Sequence, residues 1–153
     1  MSNQENVFET ILAPMTGTAV AITEVPDPIF IEKILGDGIA IVPTEGKVVS
    51  PVDGTVSKVA ETGHIYAVTS DNGVEVVIHV GLETVALNGK CFQIHVKEGD
   101  KVKAGDLLEF IKETGRNSIT PIVIGSSLEG KELVCEEGEV QAGKTVIMEI
   151  KQK

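Results

Sequence analysis

Tryptophan is absent from this chain of 153 residues, tyrosine occurs once and phenylalanine four times. So few aromatic rings leave little surface for stacking bases. The net charge of −10, from 13 basic against 23 acidic residues, repels a phosphate backbone. Nucleic acid is therefore not an expected partner. Cysteine is scarce too: Cys91 and Cys135 form neither a C-x-x-C pair nor a disulfide framework. That fits a reducing, cytoplasmic setting in which each thiol serves as a small hydrophobe. No apolar run approaches the roughly 20 residues of a membrane span. The opening M-S-N-Q-E-N-V-F-E-T has no basic or apolar region of a signal peptide and no amphipathic face for membrane docking.

What the chain does have is apolar residues, 42% of the total, with 16 glycines and 6 prolines between them. This is the composition of many short strands joined by turns. Residues 1–7 form a polar tail and 8–153 a single domain, long enough to bury a core. Strands are expected at Thr10–Ala13, Gly17–Ile22, Gly38–Val42, Lys47–Ser50, Gly54–Val59, His64–Thr69, Val74–Val80, Cys91–Val96, Leu107–Ile111, Ile122–Ile124 and Val146–Ile150. Single helical turns are expected after Asp27-Pro28 and over Glu83–Leu87. The fold class is all-β: a compact antiparallel sandwich of short strands with a few helical turns.

Two internal echoes stand out. Leu12-Ala13-Pro14-Met15-Thr16-Gly17-Thr18 resembles Val49-Ser50-Pro51-Val52-Asp53-Gly54-Thr55, and Val102-Lys103-Ala104-Gly105 resembles Val140-Gln141-Ala142-Gly143. Both are spaced by about 38 residues and suit either a pseudo-repeated sandwich or recurrent turn chemistry.

The chain has only three histidines, and His79 lies within the apolar run G-V-E-V-V-I-H-V-G-L-E-T-V, Gly73 to Val85. A two-residue period puts Val74, Val76, Ile78 and Val80 on one face and Glu75, Val77, His79 and Gly81 on the other. His79 thus projects away from the core stripe, with Gly81 leaving room for a ligand. Ser70-Asp71-Asn72-Gly73 signals a hairpin. An even loop would set His64 opposite or diagonal to His79 on one face, whereas an odd loop would separate them; the expected core stripe favours the even loop. Such a pair can be structural, or half of a metal site completed by Glu83, Cys91 or His95. It can also be a nucleophile with a helper that hydrogen-bonds developing charge.

At these residues the chain resembles a family. Gly73 to Val85 looks like the phosphorylation motif of the glucose-type IIA components of the bacterial sugar phosphotransferase system. Further blocks agree in order: Ala13-Pro14 with Gly17, Val25 to Phe30, Glu32-Lys33 with Gly36 to Ile41, Pro51 to Gly54, Leu87 with Gly89 and Phe92, and Thr120-Pro121. The resemblance implies a β-sandwich that transiently carries phosphohistidine. His79 corresponds to the histidine that takes a phosphoryl group from the histidine-containing phosphocarrier protein and passes it to a cysteine of a IIB permease domain. His64 corresponds to the histidine that supports the phosphoryl group, and Thr62 to a threonine that orients it. Ile39, Ile41 and Val77 match an apolar docking patch, Asp37 an acidic residue that meets a basic one on the phosphocarrier, and Glu83 a position usually held by aspartate.

On that resemblance no metal or other cofactor is needed, and regulatory protein partners are possible in kind. His95 matches no functional position and is expected outward, because Ile94 and Val96 share the inward face. Beginning at Met1 and ending at Lys153 favours a standalone chain over a piece of a fused permease. Two other readings are weighed. A biotinyl or lipoyl carrier shares the Pro-x-x-Gly-Thr-Val turns but lacks the flanking residues at Ser70–Gly73, and a zinc hydrolase lacks an H-E-x-x-H or H-x-H pattern.

Overall fold

In the computed structural model, residues 7–25, 32, 36–60, 65–80, 92–111 and 119–152 are described. They form β1 (Val7–Leu12), β2 (Gly17–Ala21), a 3-10 turn (Ile22–Glu24), β3 (Gly38–Pro43), β4 (Lys47–Val49), β5 (Gly54–Val59), β6 (Ile65–Ser70), β7 (Glu75–His79), β8 (Phe92–Ile94), β9 (Lys101–Val102), β10 (Leu107–Ile111), β11 (Thr120–Ile124), β12 (Lys131–Cys135), β13 (Gly138–Val140) and β14 (Val146–Gln152). Both expected helical turns fall outside the described residues. β1 begins at Val7, paired with Lys151, so the sheet starts one residue inside the stretch read as tail.

The strands build an antiparallel β-sandwich. One sheet has eight strands in the order β13-β2-β3-β11-β7-β6-β5-β9; two three-stranded sheets, β1-β14-β12 and β4-β10-β8, complete the architecture. Side chains from all three meet in one core, including Ile11, Met148 and Ile150, Val48 and Leu108, and Ile39, Ile41, Tyr66, Val76, Ile78 and Ile122. Burying each such side chain stabilises the fold by about 1.5–3 kcal/mol before entropy is counted. The outer face of the large sheet is not polar throughout. Ile22, Val25, Ala40, Ile119 and Val123 form a second buried cluster there, flanked by Val20, Val42 and Val77.

The sequence echoes mark an internal pseudo-twofold relation. Val140 pairs with Gly17 in β2, and Val102 pairs with Gly54 in β5. Gly17 pairs with Pro43 in β3, and Gly54 with Ser70 in β6. The loops repeat the correspondence. The Leu12 N–H donates to the Pro51 carbonyl at 2.9 Å, and the Val49 N–H to the Pro14 carbonyl at 2.8 Å. Gly143 donates to the Ala13 carbonyl and Gly105 to the Ser50 carbonyl, at 2.8 and 2.9 Å. The Ala142 N–H reaches Thr16 Oγ1 and the Ala104 N–H reaches Asp53 Oδ1.

Carried across the eight-stranded sheet, the relation exchanges β13 with β9, β2 with β5, β3 with β6 and β11 with β7. Ile39 of β3 pairs with Ile122, and its counterpart Tyr66 of β6 pairs with Ile78. Ile78 and Ile122 are therefore counterparts, and they also pair with each other. The pseudo-dyad passes between them. Glycine is needed at both Gly17 and Gly54, where an added Cβ would run into the Val42 and Thr69 carbonyl oxygens.

Candidate functional site

β7 lies beside the pseudo-dyad, and the alternation read from its sequence holds. Val76, Ile78 and Val80 are fully buried, while Glu75, Val77 and His79 are half-buried on the opposite, outer face. The uniform aliphatic stripe decides this: only one orientation buries all its members.

The even hairpin loop does not hold. β6 and β7 pair Ile65 with His79, Tyr66 with Ile78 and Ala67 with Val77. This register closes on a three-residue loop, Asp71 to Gly73. Ser70 N–H donates to the Val74 carbonyl and Gly73 N–H to the Ser70 carbonyl, both at 2.8 Å. Gly73 adopts φ 87°, a left-handed conformation that closes such loops. Tyr66, Val68 and Ser70 therefore face the core, not Ile65 and Ala67. Hairpin register thus lends His64 no support as a partner of His79. Thr62, His64, Glu83 and Cys91 all lie outside the described residues.

His79 opens onto a depression of about 290 Å³ lined by Lys58, Ile65, Ala67, Glu75, Val77 and Val123. Its floor is aliphatic, and its polar members are His79, Lys58 and Glu75. Lys58 pairs with Ala67, which pairs with Val77, so the lysine stands two strands from β7 and level with Val77. Glu75 lies four residues before His79 on the same face, with its carboxylate against Gly125. The sequence pattern had shown Glu75 on this face without assigning it a role. Lys58 was missed, because its orientation depends on a β-bulge between Val56 and Lys58 that the residue pattern does not reveal.

Among the expected docking residues, Val77 lines the depression. Ile39 and Ile41 do not: both are fully buried in the main core. The stretch Gly-Ile-Ala-Ile-Val-Pro is apolar on both faces, so its pattern cannot say which residues point out. Packing turns Ala40 and Val42 outward instead. Asp37 is half-buried, with Oδ1 accepting the Gly38 N–H at 2.8 Å. It lies two strands and three ladder steps from His79, about 14 Å between Cα atoms by sheet geometry. The structure therefore does not place it in the depression. His95 is exposed, as expected. Cys135, expected to serve as a small hydrophobe, is exposed on β12 with its thiol toward the Gly38 carbonyl.

Residues 9–129 match the family described as phosphoenolpyruvate-dependent sugar phosphotransferase system, EIIA 1. The chain belongs to this family. It is 46% identical over 151 residues to the glucose-specific EIIA component of Bacillus cereus, covering 95% of this chain and 92% of that one. The N-acetylglucosamine-specific EIICBA component of Klebsiella pneumoniae is 43% identical over 151 residues, 95% of this chain and 23% of that longer protein. The solved structure of glucose permease IIA from Mycoplasma capricolum superposes with a TM-score of 0.84 at 34% identity, covering 92% and 94% of the two chains. As an EIIA-family member the protein is a component of the sugar phosphotransferase system, and this takes the place of the biotinyl, lipoyl and zinc-hydrolase readings. No helix among the described residues is long and apolar enough to cross a membrane.

Proposed function

We propose that His79 is the phosphoryl acceptor of a cytoplasmic single-domain carrier whose fold begins with β1 at Val7. The observation that carries this reading is its position: a half-buried imidazole at an aliphatic depression, within the Gly73–Val85 motif. The donor is the histidine-containing phosphocarrier protein and the acceptor a cysteine on a IIB permease domain. In the first transfer the lone pair of a neutral His79 nitrogen forms a P–N bond as the donor's P–N bond breaks. The released electron pair stays on the donor imidazole, and no proton moves. The transition state is loose and in line, with charge on three equatorial oxygens, so positioning and hydrogen-bond donors carry the catalysis. His64 supports the phosphoryl group and Thr62 orients His64, both by the family motif. Val77 contributes apolar docking surface, while Asp37 and Glu83 supply negative charge toward a basic partner.

Intact mass spectrometry after incubation with phosphoenolpyruvate, Enzyme I and the phosphocarrier tests the proposal. One acid-labile phosphoryl group on the wild type and none on His79→Ala is expected. An unmodified wild type beside a competent control acceptor overturns it. The relatives named glucose-specific make a glucose permease IIB domain the first acceptor to assay.

A further inference from the structure

The two halves related by the pseudo-dyad share strand order and pairing but differ in chemistry around His79. His79 corresponds to Val123, because His79 follows Ile78 as Val123 follows Ile122 across the dyad. Glu75 corresponds to Ile119 by the same offset. Lys58, paired with Ala67, corresponds to Val20, paired with Ala40. All three polar residues of the depression thus have aliphatic counterparts in the other half, where Val20, Ile119 and Val123 pack into the outer cluster.

The backbone departs from the symmetry at the same spot. β2 runs past β3 with unbroken register from Gly17 to Ala21, whereas β5 carries one extra residue, Ser57, between Val56 and Lys58. Strict alternation from the buried Val56 would turn Lys58 into the core and Val59 outward. The bulge instead leaves Lys58 exposed opposite Ala67 and returns Val59 to Tyr66. An irregularity confined to one half therefore delivers a cation to the depression onto which His79 opens.

Resting on the reading of His79 as acceptor, we propose that Lys58 is a catalytic residue whose ammonium meets the phosphoryl oxygens while the group is on His79. It exchanges no proton with the substrate. The aliphatic floor formed by Ala67, Val77 and Val123 excludes part of the water that would screen the contact. Glu75, the other charge of the depression, lies toward Gly125, away from the Lys58 side.

The test compares wild type, Lys58→Met and Lys58→Arg. Each is phosphorylated by the phosphocarrier, freed of partners, and titrated by ³¹P NMR, with circular dichroism to verify folding. Lys58→Met is expected to take up phosphoryl about tenfold more slowly. Its phosphoryl titration should move upward by about half a unit, because a nearby ammonium favours the dianion. Lys58→Arg should restore most of both. Slower uptake with an unmoved titration would make Lys58 a docking residue and overturn the proposal, as would wild-type behaviour in both measurements. An unphosphorylated wild type would overturn the acceptor reading itself and this proposal with it.

Discussion

Ile78 and Ile122 face one another across the pseudo-dyad with no exposed surface. Each packs against its own counterpart, so neither side of the contact has slack. Truncating either to alanine is expected to cost about 2–5 kcal/mol in urea unfolding. The double variant should depart from additivity, since the residues touch. His79→Ala should behave differently, because the side chain is half-buried and sits outside the main core. A loss of no more than about 1 kcal/mol is expected beside complete loss of phosphorylation. Gly17→Ala and Gly54→Ala should both be severely destabilising, by steric conflict with a neighbouring carbonyl. The face of His79 was legible because its strand is uniformly aliphatic on one side and mixed, with Glu75 beside Val77, on the other. The faces of Ile39 and Ile41 were not, because a strand apolar on both sides has no period to read.

Most longer strands were legible; β9, β12 and β13 were not expected at all. β9 and β13 have two and three residues, too few to display a period, and they are strands because Gly54 and Gly17 offer them partners. The β6–β7 register was misjudged because Ser-Asp-Asn-Gly serves loops of two or three residues equally well, and the choice lies in the φ of Gly73. Replacing Gly73 by alanine, with open space around it, should cost about 1–2 kcal/mol of backbone strain, measurable as a lower urea midpoint at unchanged slope. Deleting Ser57 provides an element-scale test. A deletion within a strand normally reverses every side chain beyond it. Here it would close the bulge and leave Lys58 on Ala67 and Val59 on Tyr66, the arrangement β2 already has. The deletion is therefore expected to fold, losing only about 1–2 kcal/mol for the exposed Ser57 bonds to Ala67 and Thr69. Collapse of the far-UV signal would contradict it.

The halves of the molecule are interleaved along the chain. β2 and β3 precede β5, β6, β7 and β9, whereas β11 and β13 follow them, and β11 lies between β3 and β7. Neither half can complete its sheet without the other, so unfolding should be a single cooperative event. Tyr66, the only tyrosine in a chain without tryptophan, is fully buried beside the dyad and provides an internal probe. Its fluorescence and the far-UV circular dichroism should change at the same urea concentration. Two separated transitions would show that the halves are independent. The repeated turn motifs hinted at this organisation, but short motifs could not reveal which strands are exchanged or where the axis runs. That information resides in the pairing.

β1 is placed by β14, whose residues Val146 to Lys151 pair with Leu12 to Val7. During synthesis the first of these strands leaves the ribosome more than a hundred residues before its partner exists. Local turns can set the hairpins meanwhile, but the sandwich cannot close until its last strand is released, and β1 waits as an unpaired edge. Slow maturation, and a need for protection of that edge in the nascent chain, follow from the order in which the strands are made.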